Sequence, residues 1–457
     1  MVTYTLDDTI AAIATPLGQG GIGIVRLSGP EALAVAEQVF TPAARSSLEG
    51  LESHKLVYGH ARDPQNGHTL DEALLVCMRA PRSYTGQDVV EIQGHGGPTP
   101  LRAILTACLA QGARMACEGE FTLRAFCNGR LDLAQAEAVL DIITSRTETA
   151  LRVAVNQLGG RLSDEVRRLR RGLLEALAYL EASIDFGEDV PEQDLLPDLD
   201  ALGDLLCWLL GEAERGMVYR QGVRTAIVGR PNVGKSSILN RLLRAERAIV
   251  TPVPGTTRDT LEETLNIQGI PLVLTDTAGI AESQDLVEQL GIERSRRSIA
   301  QADLALVVFD GSVPPGLEDA QVATLVAGRP AVVAVNKSEL GTTYDYAELL
   351  PEAPHIEVSA LTGEGLPELE QCLVETVFAG QMGATEEPVA SNPRHRDALR
   401  RAWAHVQDAG HAIRAGVPDD LVAIDVAGAV DALGAITGES ASEELLEMIF
   451  GRFCIGK

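Results

Sequence analysis

The spacing of apolar residues changes along the chain, and each change predicts a different kind of element. Over residues 12–29, AIATPLGQGGIGIVRLSG, short apolar runs alternate with glycine, which predicts a strand, a tight turn and a second strand. Strand-like runs recur at 73–78 and 89–93, and helical stretches are expected at 30–39 and 99–111. From about 119 to 218 the period is helical throughout. Leu162, Val166, Leu169, Leu173, Leu177, Leu180 and Ile184 stand three or four apart, one face of a long helix ending near Asp185-Phe186-Gly187. Strand and helix patterns alternate over 219–378, as a parallel sheet requires. After a polar linker near 383–393, helical spacing returns and continues to Lys457.

These periods predict a multidomain chain, α/β plus all-α. An N-terminal α/β domain covers 1–118, and a helical domain is built from two separated stretches, 119–218 and 379–457. A second α/β domain, 219–378, is inserted between them. At 457 residues the chain is too long for one core, which agrees with roughly two to four domains.

Composition narrows the function. With 45% hydrophobic and 23% charged residues the chain is globular. No run of about 18 uncharged apolar residues exists, so no membrane span is expected. The first residues, MVTYTLDDTIAAIA, contain acids and no basic region, which argues against a secretory signal. Seven scattered cysteines without a CxxC pair make a disulfide framework or structural zinc site a poor fit and favour the cytoplasm. A formal net charge of −27 disfavours a protein that coats nucleic acid, because counterion release needs Lys and Arg. The basic run Arg167, Arg168, Arg170, Arg171 reads first as a solvated face and second as an RNA contact.

The strongest chemical signal is GRPNVGKSS at 229–237, after the apolar run Val223–Val228. It matches the phosphate-binding loop, whose small residues let backbone N–H groups wrap phosphates. Asn232, Val233, Gly234, Lys235, Ser236 and Ser237 are thus expected at the nucleotide. Lys235 would reach the β- and γ-phosphates, and the Ser236 hydroxyl would ligate Mg²⁺ at the positive end of a helix. DTAG (Asp276, Thr277, Ala278, Gly279) is the acid-and-glycine motif near Mg²⁺ and the γ-phosphate. NKSE provides Asn336, Lys337 and Glu339 for the base, with Glu339 where GTPases usually carry Asp. Ser359, Ala360 and Leu361 stand where a Ser-Ala loop meets the base. Four elements in this order select GTP as substrate. No glutamine follows DTAG, so the water and the transition-state charge need other partners. Asn232 and the Thr-rich segment 250–259 offer neutral oxygens for a monovalent cation such as K⁺, with Thr257 as the switch threonine on Mg²⁺.

The chain also resembles the MnmE (TrmE) family of tRNA-modification GTPases over its whole length. The likeness rests on DTIAAIATPLGQGGIGIVRLSG (8–29), SYTGQDVVEIQGHGG (83–97), GEFTLRAFCNGRLDLAQAEAV (119–139) and the terminal FCIGK, beside the GTPase motifs. The resemblance implies an N-terminal folate-binding and dimerisation domain, a discontinuous helical domain and an inserted Ras-like P-loop GTPase domain. It implies a homodimer that works with a flavin-dependent MnmG-type partner, in a heterotetramer or larger complex. Together they modify carbon 5 of the wobble uridine of certain tRNAs, with K⁺-stimulated GTP hydrolysis. The one-carbon unit comes from a tetrahydrofolate derivative, the 5-formyl or 5,10-methylene form. Carried over position by position, K⁺ falls to Asn232 and Thr251 with the main chain of Val253 and Thr256, and Mg²⁺ to Ser236 and Thr257. Glu288 matches the water-positioning acid. Folate contacts map to Arg26, Glu91, Arg130 (often Lys in the family) and Lys457, which brings Cys454 beside the one-carbon donor as a candidate nucleophile or proton-transfer group.

Two other readings compete. A GTP-controlled ribosome-assembly factor would share NVGKS and DTAG, but would usually add a basic RNA-binding module. A GTPase-domain scaffold without an RNA role would leave FCIGK superfluous.

Overall fold

The structure, a computed structural model, describes residues 6–44, 47–48, 50–245, 264–274, 296, 298–341, 344–378 and 388–457. They fall into two compact units. The first comprises Met1–Leu140, Leu158–Arg171 and Val430–Lys457, the second Asp141–Gln157 and Gly172–Ala429.

The first unit is organised by a seven-stranded sheet: β1 Ile10–Ile13, β2 Gly20–Ser28, β3 Phe40–Pro42, β4 Leu56–Arg62, β5 Thr69–Met78, β6 Val89–Gly96 and β7 Arg114–Met115. Their order is β3-β4-β5-β6-β2-β1-β7. The Gly-interrupted run at 12–29 is the antiparallel pair β1–β2, and the other two predicted strands lie within β5 and β6. The predicted helices are α1 Ala32–Val39 and α2 Pro98–Ala110. Both pack on one face of the sheet, where Val25, Leu27, Val90 and Ile92 join the core. Strand alternation turns the neighbouring residues to the opposite face. Register then sets Arg26 directly across from Glu91 on that opposite face. Beyond β7 come α3 Glu120–Cys127 and α4 Leu133–Thr144.

Two helices follow, α5 Glu148–Leu158 and α6 Arg161–Phe186. The predicted stripe holds as far as Leu180. Ile184 and Phe186 are 47% and 66% exposed, so the last turn leaves the core. Arg167, Arg168 and Arg171 of the basic run are exposed and Arg170 is half-buried; Arg167 meets Asp132 and Asp164, Arg168 meets Glu165, and Arg170 meets Glu439.

In the second unit, α7 Leu196–Gln221 leads into a six-stranded sheet. Its strands are β8 Val223–Val228, β9 Thr264–Ile267, β10 Ile270–Leu274, β11 Leu304–Asp310, β12 Ala331–Asn336 and β13 His355–Glu357, in the order β13-β12-β11-β8-β10-β9. All pairs are parallel except β9–β10. Its β10, β11 and β12 strands are buried along their whole length and almost entirely apolar, as burial on both faces demands. Around it stand α8 Lys235–Ala245, α9 Leu317–Val326 and α10 Leu366–Val377. Further helices among the described residues are α11 Pro393–Arg414, α12 Asp419–Thr437 and α13 Glu443–Phe450. α11 lies along α7 on the other side of the inserted sheet in sequence. Their contact is close: a side chain at Gly203 of α7 would meet Val406 and Gln407 of α11.

Candidate functional site

β8 lies between β11 and β10, so the loop leaving its carboxyl end opens at the point where the strand order reverses. Ligands of open α/β sheets bind there. The loop turns on left-handed backbone at Asn232 (φ 63°) and on Gly234 (φ 100°), then enters α8 at Lys235. The Lys235 ammonium donates to the carbonyls of Gly229 (2.9 Å) and Arg230 (2.8 Å) and is thereby held over the loop. Burial lowers its pKa below the ordinary lysine value. Val233 is fully buried and anchors the loop, whereas Asn232 and Ser237 face solvent and Ser236 is half-buried.

The base motifs join this loop through one side chain. Asn336, 2% exposed at the end of β12, donates from Nδ2 to the Val233 carbonyl at 2.8 Å. Its Oδ1 accepts the Ala360 N–H at 3.0 Å. The predicted phosphate loop, NKSE and Ser-Ala loop therefore converge. Ser359 is buried and its hydroxyl accepts the Thr362 N–H, which closes the turn that exposes Leu361. Lys337 takes left-handed backbone (φ 72°), and its ammonium reaches Asp310 at 2.6 Å. Glu339 lies exposed in the short Ser338–Leu340 turn, where its longer side chain has room to adjust. Thr251, Val253, Thr256, Thr257, Asp276, Thr277, Ala278, Gly279 and Glu288 lie outside the described residues.

The second predicted site forms in the first unit. Arg26 Nε meets Glu91 Oε1 at 2.8 Å, the cross-strand pair that register dictates. The Arg26 guanidinium also donates to the Gly456 carbonyl at 3.2 Å and sits 5.6 and 5.7 Å from the Tyr84 and Phe121 ring centres. Arg130 also lies over the Tyr84 ring, 5.1 Å from its centre, and donates to the Tyr84 carbonyl. The tail is held by main-chain pairing of Ile455 with Glu118 and by the Phe121 N–H, which donates to the Lys457 carbonyl oxygen at 3.2 Å. Gly456 (φ 97°) allows this approach, since a side chain there would overlap the Ile13 carbonyl. Burial lowers the Lys457 ammonium below its ordinary pKa and the Arg26 charge adds to that, against Cys454 and Glu91. Cys454 is exposed. Arg26, Glu91 and Lys457 thus meet at the tail, and Arg130 lies against Tyr84 beside them.

Sequence reasoning missed Tyr84 and Phe121, both of which face the Arg26 guanidinium. Their motifs, SYTGQ and GEFTLR, had been singled out, but no spacing brings the two rings together. It also missed Asp310.

The profile of the MnmE helical domain matches residues 133–454, and that of the GTP-binding protein TrmE N-terminus matches 9–130. A tRNA modification GTPase MnmE of Roseiflexus castenholzii is 50% identical over 466 residues, covering 99% of each chain. The protein of that name from Chloroflexus aurantiacus is also 50% identical, over 99% of this chain and all of the other. That of Desulforamulus reducens is 45% identical over the same shares. Among solved structures, the FeoB G-domain from Methanococcus jannaschii aligns with 34% of this chain and 98% of its own (23% identity, TM-score 0.25), too distant to add to the assignment. No helix among the described residues is long and apolar enough to cross a membrane. With both profiles and relatives matched along their full length, the chain belongs to the MnmE family of tRNA modification GTPases.

Proposed function

We propose that this GTP hydrolase of tRNA modification is stimulated by K⁺ and uses a tetrahydrofolate one-carbon donor, with a flavin-dependent MnmG-type partner, to modify carbon 5 of the wobble uridine. It does so as a cytoplasmic homodimer within a heterotetramer or larger complex. The working parts are the division proposed above: 1–118 for folate and dimerisation, 119–218 with 379–457 as the helical domain, and 219–378 for GTP.

The observation that carries the folate reading is the meeting of the tail with Arg26 and Glu91 between Tyr84 and Phe121. These residues fit a folate. Arg26, Arg130 and Lys457 set three cations against one acid in a chain of net charge −27, which suits a ligand with a carboxylated tail. Glu91 suits the donor edge of a pterin, and the rings offer stacking faces. The bound donor supplies the one-carbon unit; the chain's own part is to orient it and to hold Cys454 beside it for attack or proton transfer. At the nucleotide, Lys235 takes the β- and γ-phosphates and Ser236 with Thr257 holds Mg²⁺. Asn232, Thr251, Val253 and Thr256 hold K⁺, which replaces an arginine finger, and Glu288 positions the water.

Titration with 5-formyl-tetrahydrofolate tests the first site. Saturable binding is expected, weakened about tenfold or more in Arg26→Ala, the scale of one lost charge-assisted contact. Binding that is absent, or equal in both proteins, would discard the folate assignment. GTP turnover in KCl against NaCl at matched ionic strength tests the second. Because a well-placed charge at the transition state is worth on the order of 10²-fold, turnover should be far faster in KCl. Equal rates would remove the cation from the mechanism.

A further inference from the structure

Two cations and two carboxylates stand behind the nucleotide loops. Arg230, in the phosphate loop, meets Asp319 Oδ1 at 3.2 Å and Asp310 Oδ2 at 3.9 Å. Lys337, in the base loop, meets Asp310 Oδ2 at 2.6 Å. The charges sort by distance into Arg230 with the fully buried Asp319 and Lys337 with Asp310. Asp310 is itself fixed on every side. Its Oδ1 accepts the Ser312 hydroxyl (2.6 Å) and N–H (3.1 Å), and its carbonyl accepts the Tyr346 hydroxyl at 2.9 Å. Tyr346 is 1% exposed, stacked on Phe309 with ring centres 4.6 Å apart, and burial pushes its phenol up to about 12, so it remains a donor.

Lys337 needs such an anchor. Left-handed backbone costs a side-chain-bearing residue roughly 1–2 kcal/mol. That conformation at Lys337 starts the Ser338–Leu340 turn, which sets where Glu339 stands. We propose that Asp310 is a positioning residue for guanine recognition: by holding the Lys337 ammonium it keeps the base loop in its binding shape before nucleotide arrives. Asp310 acts through Lys337 and belongs to none of the four sequence motifs.

The tie lies at the base end, so its loss should weaken GTP and GDP equally. In a complete chain carrying Asp310→Asn, the affinity for both nucleotides is expected to fall about tenfold, the scale of one charged hydrogen bond. KM for GTP rises by that factor while kcat at saturation stays within about twofold, because ground and transition states share the loss. Asp310→Glu, which keeps the charge, should recover most of the affinity. Lys337→Met should weaken binding similarly, and the double variant Asp310→Asn/Lys337→Met no more than the worse single one, since the pair acts as a unit. Losses that multiply in the double variant would overturn the proposal. So would affinity within about twofold of the parent in Asp310→Asn, or a fall for GTP without one for GDP.

Discussion

Gly234→Ala is expected to remove nucleotide binding, with affinity for GDP and GTP falling on the order of 10²-fold or more. Gly234 has φ 100°, a backbone region that L-residues with a Cβ populate at a cost of roughly 1–3 kcal/mol. Strain is the smaller part. A Cβ there overlaps Nδ2 of Asn336, which is buried and cannot swing into solvent. Moving Asn336 breaks its bond to the Val233 carbonyl and the one it accepts from Ala360, two of the contacts that join phosphate loop, base motif and Ser-Ala loop. Each buried group left unpaired costs roughly 1–3 kcal/mol. Every tenfold loss of affinity needs only about 1.4 kcal/mol. Titration with a fluorescent GDP analogue measures the effect. Gly328→Ala is the control: its φ is 75° but no atom lies within 4 Å of the added carbon, so it bears strain alone, away from the loops. Affinity in Gly234→Ala within about threefold of the parent would show that Asn336 does not join the loops as described.

How the site could be read from the sequence follows from the range of the interactions. The phosphate loop, NKSE and the Ser-Ala loop were legible because their residues act in contiguous runs, and the largely apolar strands before the first two place those at one end of the sheet. The alternation that predicts β2 and β6 puts Arg26 and Glu91 on one face of each strand. Their pairing is a matter of register between residues 65 apart, which no local pattern carries. Asp310 ends a wholly apolar strand and looks like an ordinary turn acid; only the fold of the base loop brings Lys337 to it. The stripe along α6 was read one turn too far, since apolar spacing persists to Ile184 where packing partners do not. Family membership decides for tRNA modification over ribosome assembly, a distinction the shared GTPase motifs could not make.

The largest loss of stability is expected from Glu120→Gln, at a place where local sequence suggests little. Glu120 and Arg124 stand four apart at the start of α3, a spacing that usually marks an exposed pair worth a few tenths of a kcal/mol. Here their side chains are 1% and 0% exposed. Arg124 donates to Glu120 Oε1 at 3.0 Å and to Asp8 Oδ1 at 2.5 Å, while Arg114 bridges the same two acids. The Cys117 N–H donates to Glu120 Oε2 at 2.8 Å. Glutamine keeps the shape but removes the charge, and either orientation of its amide sets a donor against another donor. Breaking a buried ionic cluster from one side costs about 3–5 kcal/mol. The loss should appear in the first unit alone. Both tryptophans, Trp208 and Trp403, lie in the second unit, so their fluorescence serves as internal control while amide exchange in β1 and β2 reports the first. Burial alone would raise the Glu120 pKa, but the bonds from Arg114, the Cys117 amide and Arg124 outweigh it and hold the carboxyl below its ordinary 4.5. A depressed carboxyl contributes stability in full above its unfolded pKa, and that contribution is lost as pH falls through the folded value. Amide protection in β1 and β2 should therefore drop below about pH 4.5 in the parent and depend less on pH in Glu120→Gln, where Asp8 is the one acid of the cluster left to titrate. Parallel acid profiles, or unchanged exchange at neutral pH, would mean that the cluster contributes no net stability and that its arginines serve the shape of the tail site instead.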